Sequence, residues 1–148
     1  MLDNIVNVPF SDETHKDDLI GQTKFLRAFY YFYLTALWDN IPLVLNTSSA
    51  SDKPMQATAD EILTQIEEDL EDAVNKLPST RDVNNYGRPT KGAAYGLLAK
   101  TYAQHHKWEE AKRCLEWLID GEGKNYYSLV RNWADNFSNY TEDNKESL

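Results

Sequence analysis

The stretch Gly21–Trp38, GQTKFLRAFYYFYLTALW, limits what this chain can fold into more than any other. Its aromatic and aliphatic side chains run right round a 3.6-residue wheel, so the segment is expected to form a helix buried on most sides. Phe25, Phe29 and Phe32 share one face, with Leu26, Tyr30 and Tyr33 on the next. Asp39-Asn40-Ile41-Pro42 then stops it, because proline cannot continue a helix. Such a helix needs partner helices packed around it. A membrane span is the competing solution and fits poorly: the apolar run Phe25–Trp38 falls short of the roughly 20 residues a bilayer requires, and Arg27 lies inside it.

The partners are written further along. Thr58 and Glu61 form a capping-box pattern, and Ile62, Leu63, Ile66, Leu70, Ala73, Val74 and Leu77 trace one helical face. Glu67, Glu68, Asp69 and Asp72 mark the opposite, solvated face, and Pro78 ends the element. A third helix is expected from an N-cap at Thr90 to about His105, and a fourth from Lys107 or Trp108 to Ile119, closed by Gly121-Glu122-Gly123. Ala94, Leu97, Leu98, Tyr102, Trp108, Ala111 and Leu118 fall at the spacings of tetratricopeptide hairpins. There, small residues let two helices approach while larger ones, Trp108 among them, fill the gaps. One such hairpin cannot bury its own apolar face and must stack on another.

The fold class expected is therefore all-α: about four main helices in tetratricopeptide-like hairpins, with irregular loops and tail. The 148 residues read as a single helical domain. Residues 1–16 are expected to form the lead-in, extended over the first ten or so, 17–120 the hairpin stack and 121–148 an irregular tail.

The formal net charge of −9 disfavours nucleic acids and anionic membranes as partners. The one cysteine, Cys114, cannot form an internal disulfide and reads as a small core residue. Met1–Val8 has neither the basic nor the apolar region of a signal peptide.

Several segments, in order, resemble the SusD/RagB family of outer-membrane glycan-binding lipoproteins of Bacteroidetes. FLRAFYYFYL at Phe25–Leu34 followed by DNIPLV at Asp39–Val44 is similar to the family's first long helix and its exit. IEEDLEDAVNKLP at Ile66–Pro78 resembles the second helix, and GRPTKGAAYGLLAKTYA at Gly87–Ala103 resembles the most recognisable stretch. Trp108-Glu109-Glu110-Ala111 and Tyr127-Ser128-Leu129 continue the series. The resemblance implies non-enzymatic capture of oligosaccharides at the cell surface and delivery to a SusC-like TonB-dependent transporter. This segment would act mainly as helical scaffold and transporter-facing surface. Members of the family are several times longer and carry an N-terminal lipid anchor that this chain lacks, so the chain is expected to be an N-terminal portion, with self-association through exposed apolar surface. The competing function is an intracellular tetratricopeptide-type adaptor for protein partners.

Sugar binding requires flat apolar faces for pyranose rings, with amides and carboxylates for the hydroxyls. Tyr86, Trp133 and Tyr140 are the aromatic candidates outside the main helices, with Asn84, Asn85 and Asp135 as polar neighbours. Packing on the helical stack is the more ordinary role for Trp133 and Phe137. Arg27, set in an apolar helix, must find a carboxylate, and Glu68 or Asp69 of the second helix is the expected structural ion pair. His105 and Glu109, four apart, are too few for a metal centre, and no catalytic constellation or cofactor is expected.

Overall fold

The structure is a computed structural model that describes residues 1–5, 7–49, 51–141 and 144–146. Val6 of the expected lead-in, Ala50 of the polar loop, and Glu142, Asp143, Ser147 and Leu148 of the tail lie outside the described residues. The architecture is all-α. A short helix α1 (Leu2–Ile5) precedes the long α2 (Glu13–Trp38), followed by α3 (Ala59–Lys76), α4 (Lys91–Gln104) and α5 (Trp108–Ile119). Each of α2 to α5 packs on the next in sequence, giving a stack of antiparallel hairpins.

Local chemistry sets the helix ends. The Asp12 side chain accepts a hydrogen bond from Thr14 N at 2.9 Å, so α2 begins at Glu13 rather than near Asp17. Both halves of the Thr58–Glu61 capping box form at the start of α3, and Thr90 accepts from Ala93 N at the start of α4. The turn from α4 to α5 is a Schellman closure: Lys107 N donates to Tyr102 O at 2.8 Å and His106 N to Ala103 O at 3.2 Å. His106 takes the positive φ of 58° that glycine usually supplies there.

The core lies along α3. Ile62, Ile66, Leu70 and Ala73 of that helix are at most 1% exposed, facing Ala28 from α2 and Ala94 and Leu98 from α4. Small residues permit the approach. A Cβ on Gly21 would sit 3.1 Å from both Leu77 and Lys76, so the N-terminal half of α2 lies almost against the end of α3. Between α2 and α3, Ile41–Pro42 (β1) pairs antiparallel with Gln56–Ala57 (β2). Tyr31 fastens that connection to α2: its hydroxyl accepts from Val44 N at 2.8 Å and donates to Val44 O at 3.2 Å.

The structure departs from the sequence-based expectations at five further places. The lead-in is not wholly extended: Leu2–Ile5 is helical, and Ile5 is buried. Helix α2 is not buried on most sides. Only Gly21, Ala28 and Thr35 are buried, while Leu26, Phe29, Tyr30, Tyr33, Leu34, Leu37 and Trp38 are exposed. The cause is that α3 lies along one side of α2, while the aromatics on its exposed side touch one another, such as Phe29 and Tyr33 at 4.9 Å. The acidic side of α3 is not uniformly solvated. Glu68 is exposed, but Glu67 and Asp69 are buried, because α3 is sandwiched between α2 and α4 and its flanks are covered. Trp108 fills no gap: it heads α5 at the tip of the hairpin, 61% exposed, with its ring 5.7 Å from that of His106. Trp133 and Phe137 pack on each other at 4.7 Å within a 3₁₀ turn (Trp133–Phe137), both exposed and away from the stack.

Candidate functional site

Buried carboxylates on α3 meet cations brought in from both sides. The Arg27 guanidinium of α2 donates two hydrogen bonds of 2.7 Å to Asp69 and a weaker one of 3.3 Å to Leu45 O. These bonds to Asp69 outweigh burial and raise the Arg27 pKa further. Of the two acids expected as partners, Asp69 is the one engaged. Lys24 and Lys76 bracket Asp72, while Lys107 and His105 from the α4–α5 turn both reach Glu67. This seam ties three helices together in register. His105 faces Glu67 at 2.9 Å and Asp60 at 3.2 Å rather than Glu109, and no metal-competent group of three such side chains occurs among the described residues. Cys114 is buried within the stack, and burial pushes its thiol up to about 11, away from thiolate chemistry.

The connection from α3 to α4 builds a different kind of feature. Pro78 ends α3, and the chain loops out before Thr90 caps α4. Arg81 pins this loop from behind. Its guanidinium donates to both oxygens of Asp18 on α2 at 2.8 Å, and to Pro89 O at 3.1 and 2.7 Å. Burial alone would raise the Asp18 pKa, but the hydrogen bonds and charge of Arg81 hold the carboxyl below its ordinary value. Tyr127 closes the other side, with its hydroxyl donating to Ser79 O and accepting from Gly92 N at 3.2 Å. Gly92 is required there, since a Cβ would overlap the Tyr127 ring.

Between the pinned loop, α2 and the tail lies an open groove of about 460 Å³. Phe25 and Leu26 supply an apolar wall, Tyr86 and Arg88 the loop side, and Tyr126 and Lys145 the tail side. Backbone turns set the loop side: Gly87 takes a φ of 83°, and Arg88 N donates to Asn85 O at 3.2 Å. The groove therefore offers flat rings beside polar and charged groups.

Of the residues singled out from sequence, only Tyr86 lines this groove. Asn84 and Asn85 lie just before it in a 3₁₀ turn, where the Asp82 carboxylate accepts from Asn84 N and Asn85 Nδ2. Trp133, Asp135 and Tyr140 are not brought to the groove: Asp135 accepts from Asn132 Nδ2, and Trp133 and Tyr140 are exposed. Phe25, Leu26, Arg88, Tyr126 and Lys145 were not visible as candidates. Nothing local marks them, since they meet only once the hairpins stack.

A stack of antiparallel helical hairpins with a groove where an inter-helix loop meets the tail is the class of protein defined here. Comparison with known proteins then gives the family. The family model SusD-like_3, described as "Starch-binding associating with outer membrane", matches residues 1–103, and the chain belongs to this SusD-like family. A SusD-like protein of Formosa agariphila is 28% identical over 151 residues, an alignment that covers 100% of this chain and 28% of that protein. Among solved structures, one described as a laminarin-binding SusD-like protein is 32% identical with a TM-score of 0.84, covering 99% of this chain and 32% of that one. A SusD superfamily protein from Bacteroides vulgatus is 34% identical with a TM-score of 0.80, covering 90% and 28% of the two chains. The chain thus spans 28% of the length of the Formosa relative. Among the described residues, no helix is long and apolar enough to cross a membrane.

Proposed function

We propose that this chain is the N-terminal helical portion of a cell-surface glycan-binding protein of the outer membrane. It captures oligosaccharides without covalent chemistry and serves a SusC-like TonB-dependent transporter, held at the membrane by an N-terminal lipid anchor outside this chain. The hairpin stack acts as scaffold and as transporter-facing surface, and the groove beside Tyr86 is where this portion contacts sugar.

The observation that carries the reading is the juxtaposition of Tyr86 and Tyr126 with the polar loop 79–90 in one open groove. Aromatic faces stack on the C–H side of pyranose rings at little entropic cost, and neighbouring donors and acceptors meet the hydroxyls. Family membership and the laminarin-binding relative agree with it. The exposed aromatic side of α2 fits the same proposal, since a longer polypeptide would cover it with its remaining elements.

The test is binding of the 148-residue chain to an array of oligosaccharides, repeated with Tyr86→Ala. The expected result is retention on at least one glycan class, weakened severalfold by the substitution. A chain that retains no glycan, or that retains it equally without Tyr86, would refute the assignment of the groove.

A further inference from the structure

The charge of the groove is opposite to that of the chain around it. The protein has 24 acidic against 15 basic side chains, yet among the described residues the charged ones lining the groove are Arg81, Arg88 and Lys145, with no carboxylate. Arg81 is already occupied by Asp18 and Pro89 O, and its side chain is only 8% exposed, so its role is to hold the loop. Arg88 and Lys145 are different. Both are exposed, and among the described residues neither takes part in an ion pair.

Their placement is held by the backbone. Arg88 follows the left-handed Gly87 and directly precedes Pro89, the residue that Arg81 clamps. Lys145 reaches the groove from the tail, where its carbonyl accepts from Ser128 N at 2.9 Å and the next residue, Glu146, is engaged with Val130 N. Asp82, the nearest acid on the loop, is taken up in capping the 3₁₀ turn before Tyr86. Among the described residues, these two solvated cations from distant parts of the sequence thus flank Tyr86 and Tyr126 outside any ion pair; Asp18, whose carboxyl also feels the Arg88 charge, is taken up by Arg81. A neutral sugar gains little from such a pair, whereas a sugar bearing carboxylate or sulfate groups is both attracted and oriented by it.

We infer that the groove selects acidic oligosaccharides, those carrying uronate carboxylates or sulfate esters, with Tyr86 and Tyr126 holding the rings and Arg88 and Lys145 the anionic substituents. This rests on the glycan-binding reading above and narrows it to a ligand class.

Calorimetric titration of the 148-residue chain tests it. The probes are tetragalacturonate, a sulfated carrageenan tetrasaccharide, maltotetraose, laminaritetraose and inorganic sulfate. At low salt, one or both acidic tetrasaccharides are expected to bind at least fivefold tighter than the neutral ones. The double variant Arg88→Gln/Lys145→Gln should remove roughly tenfold of that affinity, the size of two exposed charge contacts, and bring the acidic sugars down towards the neutral ones. About 0.5 M salt should erase the preference in the parent chain. Which acidic probe binds separates carboxylate from sulfate recognition. Equal affinity for acidic and neutral sugars, or a preference that survives the double substitution, would overturn the inference and leave the glycan reading intact. Inorganic sulfate displacing the acidic sugar at equal concentration would also overturn it, as the mark of a general anion site. If no tetrasaccharide binds, both readings fall.

Discussion

Replacing Arg27 with leucine tests the account of how the first two long helices are held. In the parent chain, Asp69 is 1% exposed and accepts two 2.7 Å bonds from the Arg27 fork. Without the guanidinium, the nearest remaining donor is Gln65 Nε2 at 3.5 Å, the limit of a hydrogen bond. Leaving one partner of a buried pair uncompensated costs about 3–5 kcal/mol. The Arg27 side chain is 20% exposed, so water can enter and the lower end, about 3 kcal/mol, is expected. Against a typical stability of roughly 5–15 kcal/mol that is a large fraction, shifting a urea midpoint by about 1–3 M. The double variant Arg27→Leu/Asp69→Leu should recover most of the loss, because removing both charges also removes the uncompensated one. An unchanged urea curve for Arg27→Leu would refute the argument, as would a double variant no more stable than the single.

Three further outcomes follow from the same geometry. Gly92→Ala should destabilise the chain by about 1–3 kcal/mol in urea, because the new Cβ overlaps Tyr127 and breaks its ties to Ser79 O and Gly92 N; pairing it with Tyr127→Leu should relieve part of the loss. The lowered pKa of Asp18 makes its clasp with Arg81 stabilising above the ordinary carboxylate range near pH 4, with that contribution lost as pH falls through the depressed folded value. Acid titration of stability should therefore show a steeper loss below about pH 4 in the parent than in Arg81→Gln, and equal slopes would contradict the clasp. The exposed side of α2 should drive concentration-dependent association of the isolated chain, abolished by Tyr30→Lys/Leu37→Lys and read by sedimentation velocity; a parent that stays monomeric at high concentration would count against an uncovered apolar face.

Elements with strong local signals were legible directly. The capping box at Thr58–Glu61, the N-cap at Thr90 and the apolar face of α3 each depend on residues within a few turns of one another, and each forms as its pattern dictates. Tyr86 could be singled out because a tyrosine beside a Gly-containing turn is exposed for local reasons. The fates of α2 and of the acids on α3 were not legible. A hydrophobic wheel states which faces can be buried, but not how many neighbours arrive to bury them. With α3 along one side only, the other aromatics stay at the surface. Glu67 and Asp69 look like part of a solvated stripe until α3 is placed between two helices. Arg27 had a need for a carboxylate that sequence could state, but only the crossing of α2 and α3 selects Asp69 over Glu68.

The groove shows the same division most plainly. By itself, the sequence determined the hairpins, the caps at Thr58 and Thr90 and the loop between Pro78 and Thr90, because helix propensity, capping and proline all act over a few residues. The tertiary structure alone decided that Phe25 and Leu26 of α2, Tyr86 and Arg88 of the loop, and Tyr126 and Lys145 of the tail share one surface. That meeting depends on long-range packing and on the Arg81–Asp18 clasp, contacts between residues far apart in the chain that no local pattern encodes.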